Sequence, residues 1–242
     1  VLIFGGSGGI GTSVARAVKA RGYSVHLVGR DKARLDAAAS AVGGASISVA
    51  DVMNADDIAD SVDAAQEKGQ GALAGLCYAV GSITLKPVTR LQESEALADF
   101  QLNALGAFTA VKTALPALKA HQAVASVLLF STIAVHQGFS AHASIGMAKG
   151  AIEGLTLSLA AELAPKIRVN CIAPGLIKTD FARALWENPQ IRQVQEGKAA
   201  LKRIGQPDDI GGVAVFLASK AGNFVCGQTI VADGGVIGMG AE

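Results

Sequence analysis

The chain has 242 residues, 50% hydrophobic and 17% charged, with 21 Lys and Arg against 20 Asp and Glu. That composition excludes intrinsic disorder, and the near-zero charge balance argues against a dedicated nucleic-acid binder, which needs a basic face. No apolar run approaches the ~18 residues of a spanning helix, and Cys77, Cys171 and Cys226 have neither metal spacing nor a disulfide pattern.

These bounds lead to an expectation of one domain over residues 1–242, in a reducing, cytoplasmic setting, with no membrane, nucleic-acid or metal partner. The opening run Val1–Phe4 has no basic leader and passes straight into glycines, so it is not read as a signal peptide. It starts inside an apolar run without an initiator Met, so a few natural residues are expected to precede it.

Short β-type runs alternate with helical patterns from end to end. Val1–Phe4 reads as a strand, followed by glycines and a helix to about Arg21. Next come a strand at Ser24–Val28, a helix at Lys32–Ala41, a strand at Ser46–Val49 and a helix at Ala55–Lys68. Leu73–Tyr78 is a strand, Glu93–Lys119 one long helix, Val124–Phe130 a strand and Ser144–Leu163 a helix. Ile167–Cys171 and Gln228–Val231 close the series. Strands that are apolar throughout are covered on both faces. The pattern is therefore α/β: a doubly wound, mostly parallel sheet of Rossmann type. The polar stretch 176–206, with Trp186 and Pro189, reads as a lid inserted over the end of the sheet.

The first strand ends in Gly5-Gly6-Ser7-Gly8-Gly9-Ile10-Gly11, with a helix directly after. Backbone N–H groups at such a helix start bind a pyrophosphate, aided by the helix dipole, and glycines let the chain approach closely. A glycine cluster alone is weak evidence, but here it stands between a strand and a helix, as a dinucleotide cradle requires. After the second strand stands Gly29-Arg30-Asp31-Lys32. Arg30 can pair with a 2′-phosphate and Gly29 leaves room for it, which favours NADP(H) over NAD(H). Asp31 argues the other way unless it caps the next helix. Asp51 and Val52, after the third strand, are placed to hold the adenine edge, with a helix cap as the alternative for Asp51.

Gly5, Gly9 and Gly11, then Asn103, Lys149, the run Arg168 to Gly175, Thr179-Asp180 and Gly227 to Gly235 follow in one order along the whole chain. In that order and spacing the sequence resembles the short-chain dehydrogenase/reductase family. The resemblance implies hydride transfer by a Ser, a Tyr and a Lys, with an Asn supporting a proton relay. It assigns Lys149 as the Lys and Asn103 as the Asn. It also implies that Pro174 and Gly175 carry the chain past the nicotinamide, with Ile177 and Thr179 offering polar groups to it. Ala79 and Gly81 fall where the family has an Asn-Ala-Gly stretch beside the cofactor, and of that stretch only Gly81 is kept. A homodimer or homotetramer built on the two long helices and the carboxy-terminal segment is implied as well.

One departure changes the chemistry. The Tyr position, four residues before Lys149, holds Ile145, which can neither give nor take a proton. Thr132 stands at the Ser position, with Ser131 beside it, and keeps a hydroxyl for the substrate oxygen. Tyr23 and Tyr78 are the only tyrosines. The enoyl-ACP reductase branch places its Tyr seven residues before the Lys, which here is His142. Seven residues are two helical turns with only ~20° of drift, so His142 is the first surrogate acid if the helix extends that far. His136 is the second; a Ser or Thr hydroxyl, Lys149 itself and water remain. The expected reaction is hydride transfer involving a small, mostly apolar carbonyl, enoyl or imine substrate. The rival readings are a cofactor-binding protein without turnover, serving as a sensor or subunit, and, far behind, an RNA-associated role.

Overall fold

A computed structural model describes residues 1–237. Its centre is a seven-stranded sheet in the order β3-β2-β1-β4-β5-β6-β7. The strands are β1 (Leu2–Phe4), β2 (His26–Gly29), β3 (Ser46–Val49), β4 (Gly75–Tyr78), β5 (Ala125–Phe130), β6 (Ile167–Pro174) and β7 (Thr229–Ala232). Every pairing is parallel. The sheet is wound outward from β1 in both directions, so the chain reverses between β1 and β4. Crevices for ligands open at the carboxyl ends of strands at such a point.

The eight helices among the described residues are α1 (Gly9–Lys19), α2 (Lys32–Ala41), α3 (Ala55–Lys68), α4 (Glu93–Phe100), α5 (Gly106–Ala120), α6 (Ala143–Leu163), α7 (Pro189–Lys198) and α8 (Pro207–Ala218). They cover both faces. Leu2 and Phe4 of β1 join the core under α3, α5 and α6, while Ile3 joins the core under α1, α2 and α8. The period of two along the strand divides its side chains between the two layers. Among the described residues, no helix is long and apolar enough to cross a membrane.

Three elements differ from the sequence expectation. The helix expected at Glu93–Lys119 is interrupted by a π turn at Gln101–Leu105. Tyr78 accounts for this locally: its hydroxyl, buried at the end of β4, donates to Leu102 O at 2.7 Å. Gly106 makes room, since a Cβ there would meet Tyr78 Oη at 2.2 Å. Second, β6 runs on to Pro174. Third, α8 was not anticipated, although its start carries Pro207 in the first turn, Asp208 and Asp209, and a capping box from Gln206. It packs closely on α1: a Cβ on Gly211 would lie 2.4 Å from Ser13 Oγ, and Ser13 Oγ donates to Asp208 Oδ1 at 2.6 Å.

Candidate active site

The cradle is built from backbone. Gly5 has φ +75°, and a Cβ on it would lie 2.6 Å from Ala79 O. A Cβ on Gly11 would lie 2.2 Å from Gly5 O. Gly5 N and Gly6 N both donate to Val28 O, and Thr12 Oγ1 donates to Gly6 O. The loop is thereby held against β2 and the end of β4. Gly8 precedes α1 without a capping side chain, and the first turn of α1 contains no acidic residue. The N–H groups of Gly9, Ile10 and Gly11 have no intrahelical acceptor, which makes this helix start a seat for an anion. Ser7 lies beside Gly29: a Cβ on Gly29 would be 3.1 Å from Ser7 Oγ.

At the far end of β2, Asp31 caps α2, accepting from Arg34 N at 3.0 Å. Its Oδ1 thus serves the start of α2, the alternative role that the sequence left open for it. Arg30 is exposed and forms no ion pair among the described residues. Asp51 is not the cap of α3, a place taken by Asn54. Asp51 instead accepts from Met53 N at 3.0 Å, beside buried Val52.

The centre lies at the carboxyl ends of β4 and β5. The π turn carries Asn103 into the interior, where it is 0% exposed. Single π turns recur at functional sites because they re-aim one residue of a helix. Asn103 Nδ2 donates to Asp99 O at 2.8 Å and to Ser82 Oγ at 3.2 Å, while Oδ1 has no partner. A buried amide oxygen left unpaired asks for a donor. Gly81 separates it from Lys149: a Cβ on Gly81 would be 2.9 Å from Asn103 Oδ1 and 3.5 Å from Lys149 Nζ. Burial pushes the Lys149 ammonium down to about 8, opposed by Cys171 and then Asp99. Ile145 is 3% exposed on the same helix, packed as an ordinary core side chain.

The remaining candidates separate. Thr132, in extended backbone, caps the short turn Ile133–Val135 by accepting from Ala134 N, which leaves its own proton available. Ser131 Oγ donates to Glu153 Oε1 at 2.6 Å and lies 3.4 Å from Lys149 O. The same Glu153 oxygen lies 3.0 Å from His136 Nε2. Ser131 and His136 therefore converge on Glu153, a residue that sequence reasoning did not single out. With the carboxylate rather than the imidazole in the middle, this is not a hydrolase triad.

The helical extension needed to align His142 with Lys149 is not formed. α6 begins at Ala143, and His142 precedes it with φ −108° and ψ 14°. Its Nδ1 donates to Ser140 O at 2.7 Å and its ring lies 5.4 Å from that of Phe139. Both rings line a cavity of about 480 Å³ together with Pro87, Val88 and Met147, and none of Lys149, Thr132 and Asn103 lines it.

Beyond β6, Gly175 N donates to Ala232 O, and a Cβ on Gly175 would lie 2.9 Å from Asp233 Cα. Buried Pro174 ends the strand. Ile177 forms a bridge to Gly205, which closes the base of the segment 176–206. Thr179 returns to the cradle: a Cβ on Gly9 would be 2.8 Å from its Cγ2. Trp186 Nε1 donates to Thr179 O at 2.9 Å, with the Lys178 ammonium 5.3 Å from its ring.

A glycine cradle at the switch point of a parallel sheet, with a buried Lys and Asn facing one gap, defines a dinucleotide-dependent oxidoreductase architecture. Comparison with known proteins agrees. A family model described as enoyl-(acyl carrier protein) reductase matches residues 5–237. An uncharacterized oxidoreductase of Mycobacterium tuberculosis is 35% identical over 240 residues, covering 97% of this chain and 90% of that protein. Dehydrogenase/reductase SDR family member 4 of Rattus norvegicus is 31% identical, covering 97% and 85%. The crystal structure of a short-chain dehydrogenase/reductase (glucose/ribitol dehydrogenase) from Brucella melitensis superimposes with a TM-score of 0.92 at 32% identity, covering 98% of this chain and 96% of that one. The chain belongs to the short-chain dehydrogenase/reductase family.

Proposed function

We propose that the protein is an NADP(H)-dependent oxidoreductase acting on a small, mostly apolar carbonyl, enoyl or imine substrate, with Lys149 as the ionisable group at the reacting atoms. The observation that carries this reading is a buried lysine that faces, across Gly81, an unpaired Asn103 oxygen. The cradle Gly5–Gly11 fits a pyrophosphate, and unpaired Arg30 fits a 2′-phosphate better than a bare ribose. NAD(H) is the lesser alternative.

When bound, the nicotinamide gives or takes hydride. Thr132 Oγ donates a hydrogen bond to the substrate oxygen. Lys149 would hold the ribose hydroxyl of the bound cofactor and, with its ammonium pushed down to about 8 by burial, can release a proton at neutral pH. Asn103 orders the approach to Lys149. Residues 176–206 act as the lid and exclude water. A polarised C=C or C=N bond asks less of a protein acid than a ketone does, which favours enoyl or imine substrates. A second copy of the chain is expected on the exposed apolar side chains Leu105 and Phe108 of the π turn and α5, and Leu157 of α6.

Titration with NADPH and NADH separately, then turnover on carbonyl, enoyl and imine panels, tests the reading. Tight NADPH binding with lysine-dependent turnover supports it; failure to bind either nucleotide overturns it. Nucleotide binding without turnover on any panel favours the second reading, a cofactor-binding sensor or subunit. The buried Ile145 at the tyrosine position is the observation behind that alternative.

A further inference from the structure

Asp99 is a carboxylate that the chemistry above does not use, buried at 2% exposure one helical turn before Asn103. It has three donors. Ser82 Oγ donates to Oδ1 at 2.6 Å, and Thr84 N at 3.1 Å and Ser144 Oγ at 2.6 Å donate to Oδ2. Those donors come from the loop after β4 and from the first turn of α6, next to Ile145. Ser82 Oγ also accepts from Asn103 Nδ2 at 3.2 Å, so Asp99 and Asn103 share one hydroxyl. Gly81, whose neighbour Ser82 is held in this way, is the residue between Asn103 Oδ1 and Lys149 Nζ.

A buried ammonium needs a compensating charge. Cys171 and then Asp99 act on Lys149 in that direction, and Glu153 is a third acidic residue nearby in sequence. Glu153, one turn further along α6, is engaged by Ser131 and His136. Cys171 on β6 favours the ammonium only as a thiolate, and burial pushes that thiol up to about 12, so it is neutral at physiological pH. Asp99 on α4 is left, and it acts on Lys149 in the required direction.

We propose that Asp99 is a positioning residue: its carboxylate is the counter-charge that keeps Lys149 cationic, and its hydrogen bonds hold Asn103 and the Gly81–Thr84 loop around the lysine. The inference rests on Lys149 being the ionisable group of the site. Asp99 acts through Lys149 and is not itself a catalytic residue. In a family whose site pairs its lysine with a tyrosine, this chain would hold its negative charge one layer further back.

The test reads the charge of Lys149 without any nucleotide. The rate at which an amine-reactive acylating reagent labels Lys149 is followed against pH by peptide mass spectrometry, on protein verified as folded by circular dichroism. Asp99→Asn should lower the labelling midpoint by about one unit, giving about fivefold more free amine at pH 7. Asp99→Ser, which keeps an oxygen for Thr84 N and Ser144, should do the same. Ser82→Ala, which leaves the carboxylate in place, should not move the midpoint. Folded Asp99 variants with the wild-type midpoint overturn the proposal. Cys171→Ala provides a reading even if no Asp99 variant folds. An unchanged midpoint is expected, and a fall of about one unit would give the counter-charge to Cys171 and overturn the assignment. Nucleotide titration of the same variants separates this outcome from failure of the oxidoreductase reading, because labelling does not depend on cofactor binding.

Discussion

The phosphate cradle and the reacting centre sit at the same edge of the same sheet and are made differently. The cradle is almost all backbone: Gly5 and Gly11 are there because a Cβ would strike a carbonyl oxygen at 2.6 and 2.2 Å. The centre is side chains from four separate elements: Asn103 in the π turn, Thr132 after β5, Lys149 on α6 and Asp99 on α4. A backbone site tolerates almost no change, because its contacts are steric. A side-chain site can lose a member and redistribute its charge, and the proposals for Lys149 and Asp99 rest on that freedom.

The largest effect should come from breaking the cradle. Gly11→Ala puts a methyl into Gly5 O, so a loss of ~3 kcal/mol in unfolding free energy is expected by chemical denaturation, with nucleotide binding abolished. Stability and binding at wild-type level would sink the steric account. Next is the centre. Lys149→Met should lower turnover by about 100-fold or more, with unfolding unaffected or improved, since a desolvated charge is removed. The wild-type pH profile carries a sign. Lys149 must hold its proton to act as acid, so reduction should fall as pH rises through about 8, and oxidation should rise over the same range. A profile without a break near 8 argues that water supplies the proton.

The ribose end should respond more mildly. Arg30→Ala should weaken NADPH binding by about tenfold, the loss of ~1.4 kcal/mol, and leave NADH unchanged. Equal weakening of both would place Arg30 outside the 2′-phosphate site. The smallest effect is expected at His142. Its ring lines a cavity that Lys149 does not, so His142→Ala should change turnover on a small substrate by less than about twofold. A 100-fold loss would return it to the role its spacing first suggested.

The legible parts of the site share one property: their contacts are local in sequence. The glycines of the cradle, the Asp31 cap on α2 and the Lys149 helix could all be read from runs of a few residues. The Glu93–Lys119 stretch was legible as helix but not its π turn, because the cause is Tyr78, a residue on another strand reaching Leu102 O. α8 has a readable start in Gln206 to Asp209, but that start adjoins the polar stretch 176–206, whose character masks it. His142 was placed by spacing along a helix that ends one residue short of it. Ser131 stands beside Thr132 in the sequence, but its hydroxyl is taken by Glu153, 22 positions away.

Apolar strand runs, helix caps and glycines of stringent geometry are short-range, and they sufficed to define the doubly wound sheet and the glycine turn that opens α1. Which polar groups face one another was decided only by the tertiary structure. Ser144 meets Asp99 across 45 positions, and Ser13 meets Asp208 across 195. Burial lowers the dielectric around such groups, so a carboxylate or lysine that looks solvated in the sequence acquires its charge state from neighbours that only the folded chain brings together.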